Sequence, residues 1–476
     1  MKRYTCSNPE ESSRRGGSTM RSTDRLGEEK VTVLLKQFSI PATVGMRVGA
    51  LYNSIDRMYI GNSPDLGALG LAGITIGFPI TLAMMALAFL FGIGGATMFS
   101  IKLGEQLPEA SEKYLGNSVA MLVLSSVVFM LASLIFLRPL LTLFGASPQV
   151  MPYALEYMRI VLWGSVFQAL SMGLNSFVRA DGSPKIAMIS MFLGAGFNIV
   201  FDPIFIYVFR WGMTGAALAT IGGQLLTTIW VLSYFTGSRC TIRLKPESMR
   251  LEAPIVSRMV QTGTPSFFRQ VANSLMHIIL NRGLILYGGD IAVSGMGVIN
   301  SIQTFMLMPI FGITQGAQPI IGYNFGAKKM ERVRETLKLA IFVATLIIAI
   351  GWLATRLFPD LLIRMFSSDP ELIAFGTRAI RIWFLFLPVI GFQIVSASYF
   401  QAVGRARLAT FLTLSRQLII LIPAVIILPR FFGLTGILYS APLADILSSV
   451  ITGIWLSVEL KRLSLIEEER LIKETK

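Results

Sequence analysis

Apolar residues fall into runs separated by short polar stretches, at 34–60, 69–100, 115–137, 152–178, 186–208, 213–235, 260–287, 291–322, 337–357, 378–401, 408–428 and 434–458. About twenty apolar residues suffice for a helix to cross a bilayer. The pattern therefore predicts an all-α integral membrane protein of twelve transmembrane helices, the longer ones tilted or extended beyond the hydrocarbon. Lys and Arg gather in alternate connections: Lys102 and Lys113, Arg179 and Lys185, Arg239 through Arg258, Lys328 through Lys338, and Arg405 with Arg407. By the positive-inside rule these mark the cytoplasmic face, although Arg138, Arg159, Arg210, Arg356 and Arg430 fall on the other side. Both termini are expected in the cytoplasm, in the cell (inner) membrane. The polar start shows no apolar stretch with a cleavage site, so the first span is expected to serve as an uncleaved anchor.

The same motifs occur twice. Ile40-Pro41 answers Thr264-Pro265, and Phe91-Gly92-Ile93 answers Phe311-Gly312-Ile313. Further on, Leu143 to Pro148 answers Met365 to Pro370, Arg159-Ile160 answers Arg381-Ile382, Ser176 to Gly182 answers Ser398 to Gly404, and Thr214-Gly215 answers Thr435-Gly436. The spacing stays near 220 residues, which similarity among greasy helices alone does not maintain. Each copy holds an even number of spans, so the reading is two six-helix lobes in a parallel internal repeat, with a cavity between them. The expected plan is a disordered cytoplasmic tail over 1–33, a first lobe over 34–237, a cytoplasmic linker over 238–258, a second lobe over 259–460 and a cytoplasmic tail over 461–476. The linker by default is a covalent tether and no more.

Composition agrees with this reading: 53% of the residues are hydrophobic and 14% charged, which an ordinary soluble chain does not show. The net charge of +15 does not point to nucleic acid, because the basic residues lie between apolar spans. They read as topology signals and contacts to anionic lipid. Cys6 and Cys240 have no metal-ligand spacing, so no disulfide framework, zinc site or other cofactor is expected.

The chemistry centres on Phe197-Asn198-Ile199-Val200-Phe201-Asp202-Pro203, inside an apolar run. An Asp at the middle of a span costs roughly 2.5–3.5 kcal/mol on insertion, so it normally faces a bundle interior, a partner or a wet cavity. Asn198 and Asp202 are one helical turn apart and share a face. Pro203 cannot donate to the Ile199 carbonyl. A carboxylate, an amide oxygen and a freed backbone oxygen together suit a proton or a hard monovalent cation. The competing reading is a kinked helix whose Asp is neutralised by an Arg.

In the first span Pro41 stands where it can bend the helix, with Tyr52 and Asp56 one turn apart beyond it. Asp56 either shares the face of Asp202 or pairs with Arg57 at the surface. Thr220, in a small-residue run, is either a ligand or bonded to its own helix. His277, the only histidine, reads as hydrogen bonded to Asn273 or Asn281 more readily than as a proton relay. Met172, Met276, Gln303, Met306 and Gln393 are candidates for a pliable substrate cavity, and Gln417 and Asp445 for the second lobe's interior.

The chain resembles the multidrug and toxic compound extrusion (MATE) transporters from Val31 to Leu460. The resemblance is carried by Pro41 with Tyr52 and Asp56, Arg179 to Pro184, Asn198 to Pro203, and Gln315 to Pro319 leading to Gly322 to Ala327. It implies two lobes about a V-shaped cavity and export of small organic solutes, cationic or amphipathic, driven by entry of H+ or Na+. In the DinF-like branch, which looks most similar, the coupling site falls on Tyr52, Asp56, Asn198, Asp202 and Thr220, with any Na+ held loosely at Asp56, Asn198 and Asp202. Other members place acids in the seventh and tenth helices; this chain offers Arg269, His277, Arg282, Arg378 and Arg381 there. A monomer is expected, and no enzyme motif pairs His with an acid. The alternative is a flippase for a lipid-linked precursor, suggested by arginines within spans.

Overall fold

The computed structural model describes the backbone of residues 24–474 and the side chains of residues 25–465. Among the described residues every regular element is helical: α1 (Asp24–Glu28), α2 (Val31–Gly61), α3 (Gly67–Gly104), α4 (Pro108–Ile135), α5 (Leu137–Leu143), α6 (Met151–Trp163), α7 (Ser165–Ala180), α8 (Pro184–Pro203), α9 (Gly212–Thr236), α10 (Ala253–Gly326), α11 (Met330–Leu357), α12 (Pro359–Arg364), α13 (Pro370–Trp383), α14 (Leu387–Ala402), α15 (Ala406–Leu414), α16 (Ile422–Ile427) and α17 (Pro429–Glu474). Among the described residues, eight helices are long and apolar enough to span a membrane, and ten if each of two bent pairs forms one span. The chain is a multi-pass integral membrane protein.

Several expected spans take a different form. Helix α2 is not among those eight, because it carries Lys36, Arg47, Asp56 and Arg57. Two runs expected as single spans are bent pairs, α6 with α7 at 55° and α13 with α14 at 52°. Two divisions fall where expected: Gly289, at φ 62°, breaks α10 between the runs 260–287 and 291–322, and Gly433, at φ 55°, breaks α17 just ahead of the run 434–458. Most other residues are strained at such a φ. Part of the tail expected to be disordered is instead helical: α1 forms and α2 begins at Val31, with Leu26 and Val31 buried. These two apolar side chains hold residues that local composition marks as polar. The rest of that tail, residues 1–23, lies outside the described residues.

The chain packs as two compact units. Among the described residues, one takes 44–267 with 24–29, and the other takes 30–43 with 268–474. The units do not divide where the repeat suggests, because the first half of α2 packs with the second unit. There a Cβ on Gly316 would stand 2.6 Å from Ser39 Oγ, and one on Gly312 2.0 Å from Thr43 Oγ1. Two bare glycines one turn apart thus admit the α2 backbone.

In the first unit, α6 seats on α3 at Gly73 and Gly77, whose added Cβ atoms would fall 3.0 Å from Ala154 N and 2.5 Å from Met158 Sδ. Ile74, Ile80, Met130, Leu141, Met158, Val161, Ala216 and Ala217 form the apolar core there. Helices α8 and α9 meet at Gly194 and Gly223, where a Cβ on Gly223 would lie 2.7 Å from Gly194 O.

The linker is more than a tether. Asn117 Nδ2 donates to Ser248 O (3.1 Å) and Arg250 O (3.0 Å), and its Oδ1 accepts from Glu252 N (2.9 Å). Gly116 leaves the recess in which Ser248 sits, since a Cβ would come 2.3 Å from Ser248 O. Lys245 pairs with Glu112 (2.7 Å), Lys113 with Glu252 (2.8 Å), and Thr241 N donates to Asp181 Oδ2 (2.9 Å). The segment is therefore strapped onto α4 and onto the α7–α8 turn.

Candidate functional site

Helix α8 runs to Pro203 and then widens into a π-helical turn at Ile204–Val208, as a missing N–H and a crowding ring favour. Asn198 and Asp202 lie in its last two turns, 4% and 1% exposed. Asp56, on α2, is 7% exposed, and its carboxyl lies within hydrogen-bonding range of that of Asp202. Among the described residues, no N–H or O–H donor reaches either oxygen of Asp202, Asp56 Oδ1 or Asn198 Oδ1. Four buried acceptor oxygens without a donor are an unstable arrangement until a proton or cation joins them. Two carboxylates at this range cannot both stay charged in a dry site without one.

Among the described residues, no arginine forms an ion pair with Asp202. Arg57 is exposed and lies over the Phe78 ring at 5.6 Å, leaving Asp56 buried behind it. Thr220 Oγ1 donates to Ala216 O at 3.1 Å, so its proton is used within its own helix while its oxygen remains an acceptor. Asn198 Nδ2 donates to Ala219 O at 3.2 Å, which directs the amide oxygen away from α9. Tyr52 is within electrostatic reach of both carboxyls.

Tyr157 joins the site and was not among the sequence candidates. It is 6% exposed and within electrostatic reach of Thr220, Asp56, Asp202 and Tyr52. Its place depends on α6 docking at Gly73 and Gly77. No local spacing carries that information.

Pro41 lies inside α2 and the helix continues unbroken through it. Of the cavity candidates, Met172 is half-buried in the first unit and the others belong to the second. There Met276 is buried, and Met306 packs so closely on Gly351 that a Cβ would stand 2.6 Å from its Cε. Gln303 Oε1 accepts from Trp383 Nε1 (3.3 Å), and Gln393 Nε2 donates to Leu412 O (3.0 Å). Among the described residues no hydrogen bond joins His277 to Asn273 or Asn281, contrary to expectation. Arg416 Nε pairs with Asp445 Oδ1 at 2.8 Å, a buried ion pair between residues 29 positions apart.

An all-helical, multi-pass chain of this kind is built as membrane transporters are. The MatE family model matches residues 41–204 and again 265–427, and the chain belongs to that family, the multidrug and toxic compound extrusion transporters. The multidrug export protein MepA of Staphylococcus haemolyticus (strain JCSC1435) is 26% identical over 421 residues, covering 88% of this chain and 91% of its own. Among solved structures, the MATE multidrug transporter DinF-BH, held in complex with a ligand, is 38% identical, with a TM-score of 0.85, covering 92% of this chain and 98% of its own. A MATE crystallised in a bent conformation superposes with a TM-score of 0.88 at 24% identity, covering 95% and 99%. That last likeness speaks for the fold alone.

Proposed function

We propose that this protein is a monomeric antiporter that exports organic solutes, cationic or amphipathic and drug-like, by alternating access in exchange for H+ or Na+. It works in the inner membrane with both termini in the cytoplasm and twelve spans in two six-helix lobes. The tandem family matches and the bent helix pairs at corresponding positions support the two-lobe plan. The names of the relatives, a multidrug export protein and a multidrug transporter, support the substrate class.

The observation that carries coupling is the facing pair Asp56 and Asp202, with Asn198 Oδ1 beside them: both oxygens of Asp202, Asp56 Oδ1 and Asn198 Oδ1 are buried without donors among the described residues. One proton bridges the pair, or one Na+ replaces it, with Thr220 and Tyr157 supplying further oxygens. Cation entry is driven by about 2.3 kcal/mol per charge for each 100 mV. Since about 1.4 kcal/mol is a factor of ten, one or two cations per cycle sustain a tenfold or greater solute gradient. Arriving charge removes the repulsion between the acids, and Pro41 is the position on α2 where the helix would yield.

The test is dye export from proteoliposomes with pH and Na+ gradients imposed separately. Asp202→Asn should abolish gradient-driven export while the protein still folds; wild-type rates in that variant would falsify the assignment. A flippase of a lipid-linked precursor requires a strongly cationic cavity. The neutralisation of Arg416 by Asp445 and the stacking of Arg269 over Phe311 at 5.7 Å weigh against it.

A further inference from the structure

The end of α11 remote from Lys328 and Lys329 presents donors that the protein itself leaves without acceptors. Arg356 Nε, Arg356 Nη2 and Trp352 Nε1 are all buried and unpartnered among the described residues, one helical turn apart, with the guanidinium 5.3 Å from the indole centroid. A second guanidinium, that of Arg381 on α13, is near enough to repel the first. Thr377, one turn before Arg381 on the same helix, has a buried hydroxyl with no partner. Among the described residues neither arginine is in an ion pair. Two acids nearby in the chain are otherwise used: Asp360 pairs with Arg364 at 2.6 Å, and Asp369 caps α13 by accepting from Glu371 N at 2.9 Å. A guanidinium with unsatisfied N–H donors beside an unpartnered indole N–H, with a second arginine within electrostatic reach, lacks one thing, an anion.

The surroundings say which anion. Leu346, Ile350, Leu353 and Leu357 form one stripe along α11, 48–63% exposed, and Phe358 and Leu361 continue the apolar surface. Helical spacing places Arg356 and Trp352 beside the end of that stripe. An acyl chain lying on the stripe would bring its headgroup phosphate to the guanidinium, in the interfacial zone that Trp and Arg favour. A guanidinium fork matches a phosphate in bidentate fashion, which a zwitterionic headgroup's own ammonium weakens.

We propose that Arg356, assisted by Arg381, Trp352 and Thr377, holds the phosphate of an anionic phospholipid on the outer surface of the second unit. The site is independent of the carboxyl pair and of the cation it uses.

The experiment is native mass spectrometry of the purified full chain in detergent, titrated with phosphatidylglycerol, phosphatidylcholine or inorganic phosphate. The expected result is one phosphatidylglycerol retained at least tenfold more strongly than phosphatidylcholine. Arg356→Gln should reduce that retention at least fivefold, and Arg364→Lys, which changes an exposed arginine nearby while keeping a cation for Asp360, should leave it unchanged. If Arg356→Gln fails to fold, Arg381→Gln takes its place, with at least a twofold reduction expected. Equal retention of the two lipids, undiminished retention in both variants at Arg356 and Arg381, or displacement of the lipid by millimolar inorganic phosphate overturns the proposal.

Discussion

The Tyr234 hydroxyl donates to Asp181 Oδ2 at 2.5 Å, and the same carboxylate oxygen receives Thr241 N at 2.9 Å. Asp181 lies in the turn between α7 and α8, outside the spans, and is fully buried. Burial pushes its carboxyl up to about 7, with the hydrogen bonds from Tyr234 and Thr241 opposing the rise only in part. The folded value thus lies above the unfolded one of about 4. The folded protein binds the proton more tightly, so this group's stabilisation is complete below about pH 4 and is lost as pH rises through about 7. Asp181→Asn keeps an acceptor oxygen for both donors and should flatten that part of the profile, as seen in unfolding midpoints in detergent between about pH 4 and 7.

Asn117 holds the linker by three bonds to its backbone, and Asn117→Ala strands those groups. Each buried unsatisfied group costs about 1–3 kcal/mol. Because about 1.4 kcal/mol is tenfold in an opening equilibrium, trypsin should cut at Arg239, Arg243, Lys245 or Arg250 at least tenfold faster in the variant. Unchanged cleavage would show that the strap does not depend on Asn117.

Gly223→Ala is expected to damage the carboxyl site from behind. Its Cβ would meet Gly194 O at 2.7 Å and Asn198 Nδ2 at 3.0 Å, so α8 and α9 must separate. Overpacking of this kind costs about 1–3 kcal/mol. The measurements are the unfolding midpoint and gradient-driven export, both of which should fall.

Two buried acids should respond oppositely to the same substitution. Asp445→Asn strands Arg416, and removing one partner of a buried ion pair costs about 3–5 kcal/mol. Asp202→Asn strands no cation and removes one of two facing carboxyls, so its stability in detergent should match or exceed the wild type. Thermal unfolding of the two variants side by side decides it.

Much of this was legible in the chain. The apolar runs located the helices because hydrocarbon leaves an unpaired backbone no other choice. Asn198 and Asp202 stood out because their spacing is local and an intramembrane acid is costly. Tyr157 was not legible, since its position depends on bare glycines in a different helix. The Arg416–Asp445 pair was hidden for the same reason, its partners meeting only through tertiary packing. The strap was missed because its bonds run from one asparagine to backbone groups of a segment whose side chains give no hint. The helical start at Asp24 was missed because two buried apolar residues outweigh a polar neighbourhood.

The division of α2 between the units has a consequence for biogenesis. Residues 30–43 leave the ribosome early, yet the unit they complete begins again only at Phe268. At about 5–20 residues per second, the gap lasts roughly 10–50 s. For that interval Ser39 and Thr43 wait for Gly316 and Gly312, which are not yet made. The second unit is therefore closed by a segment already in place, and a chain severed at the linker would synthesise its latter half without the piece that finishes it.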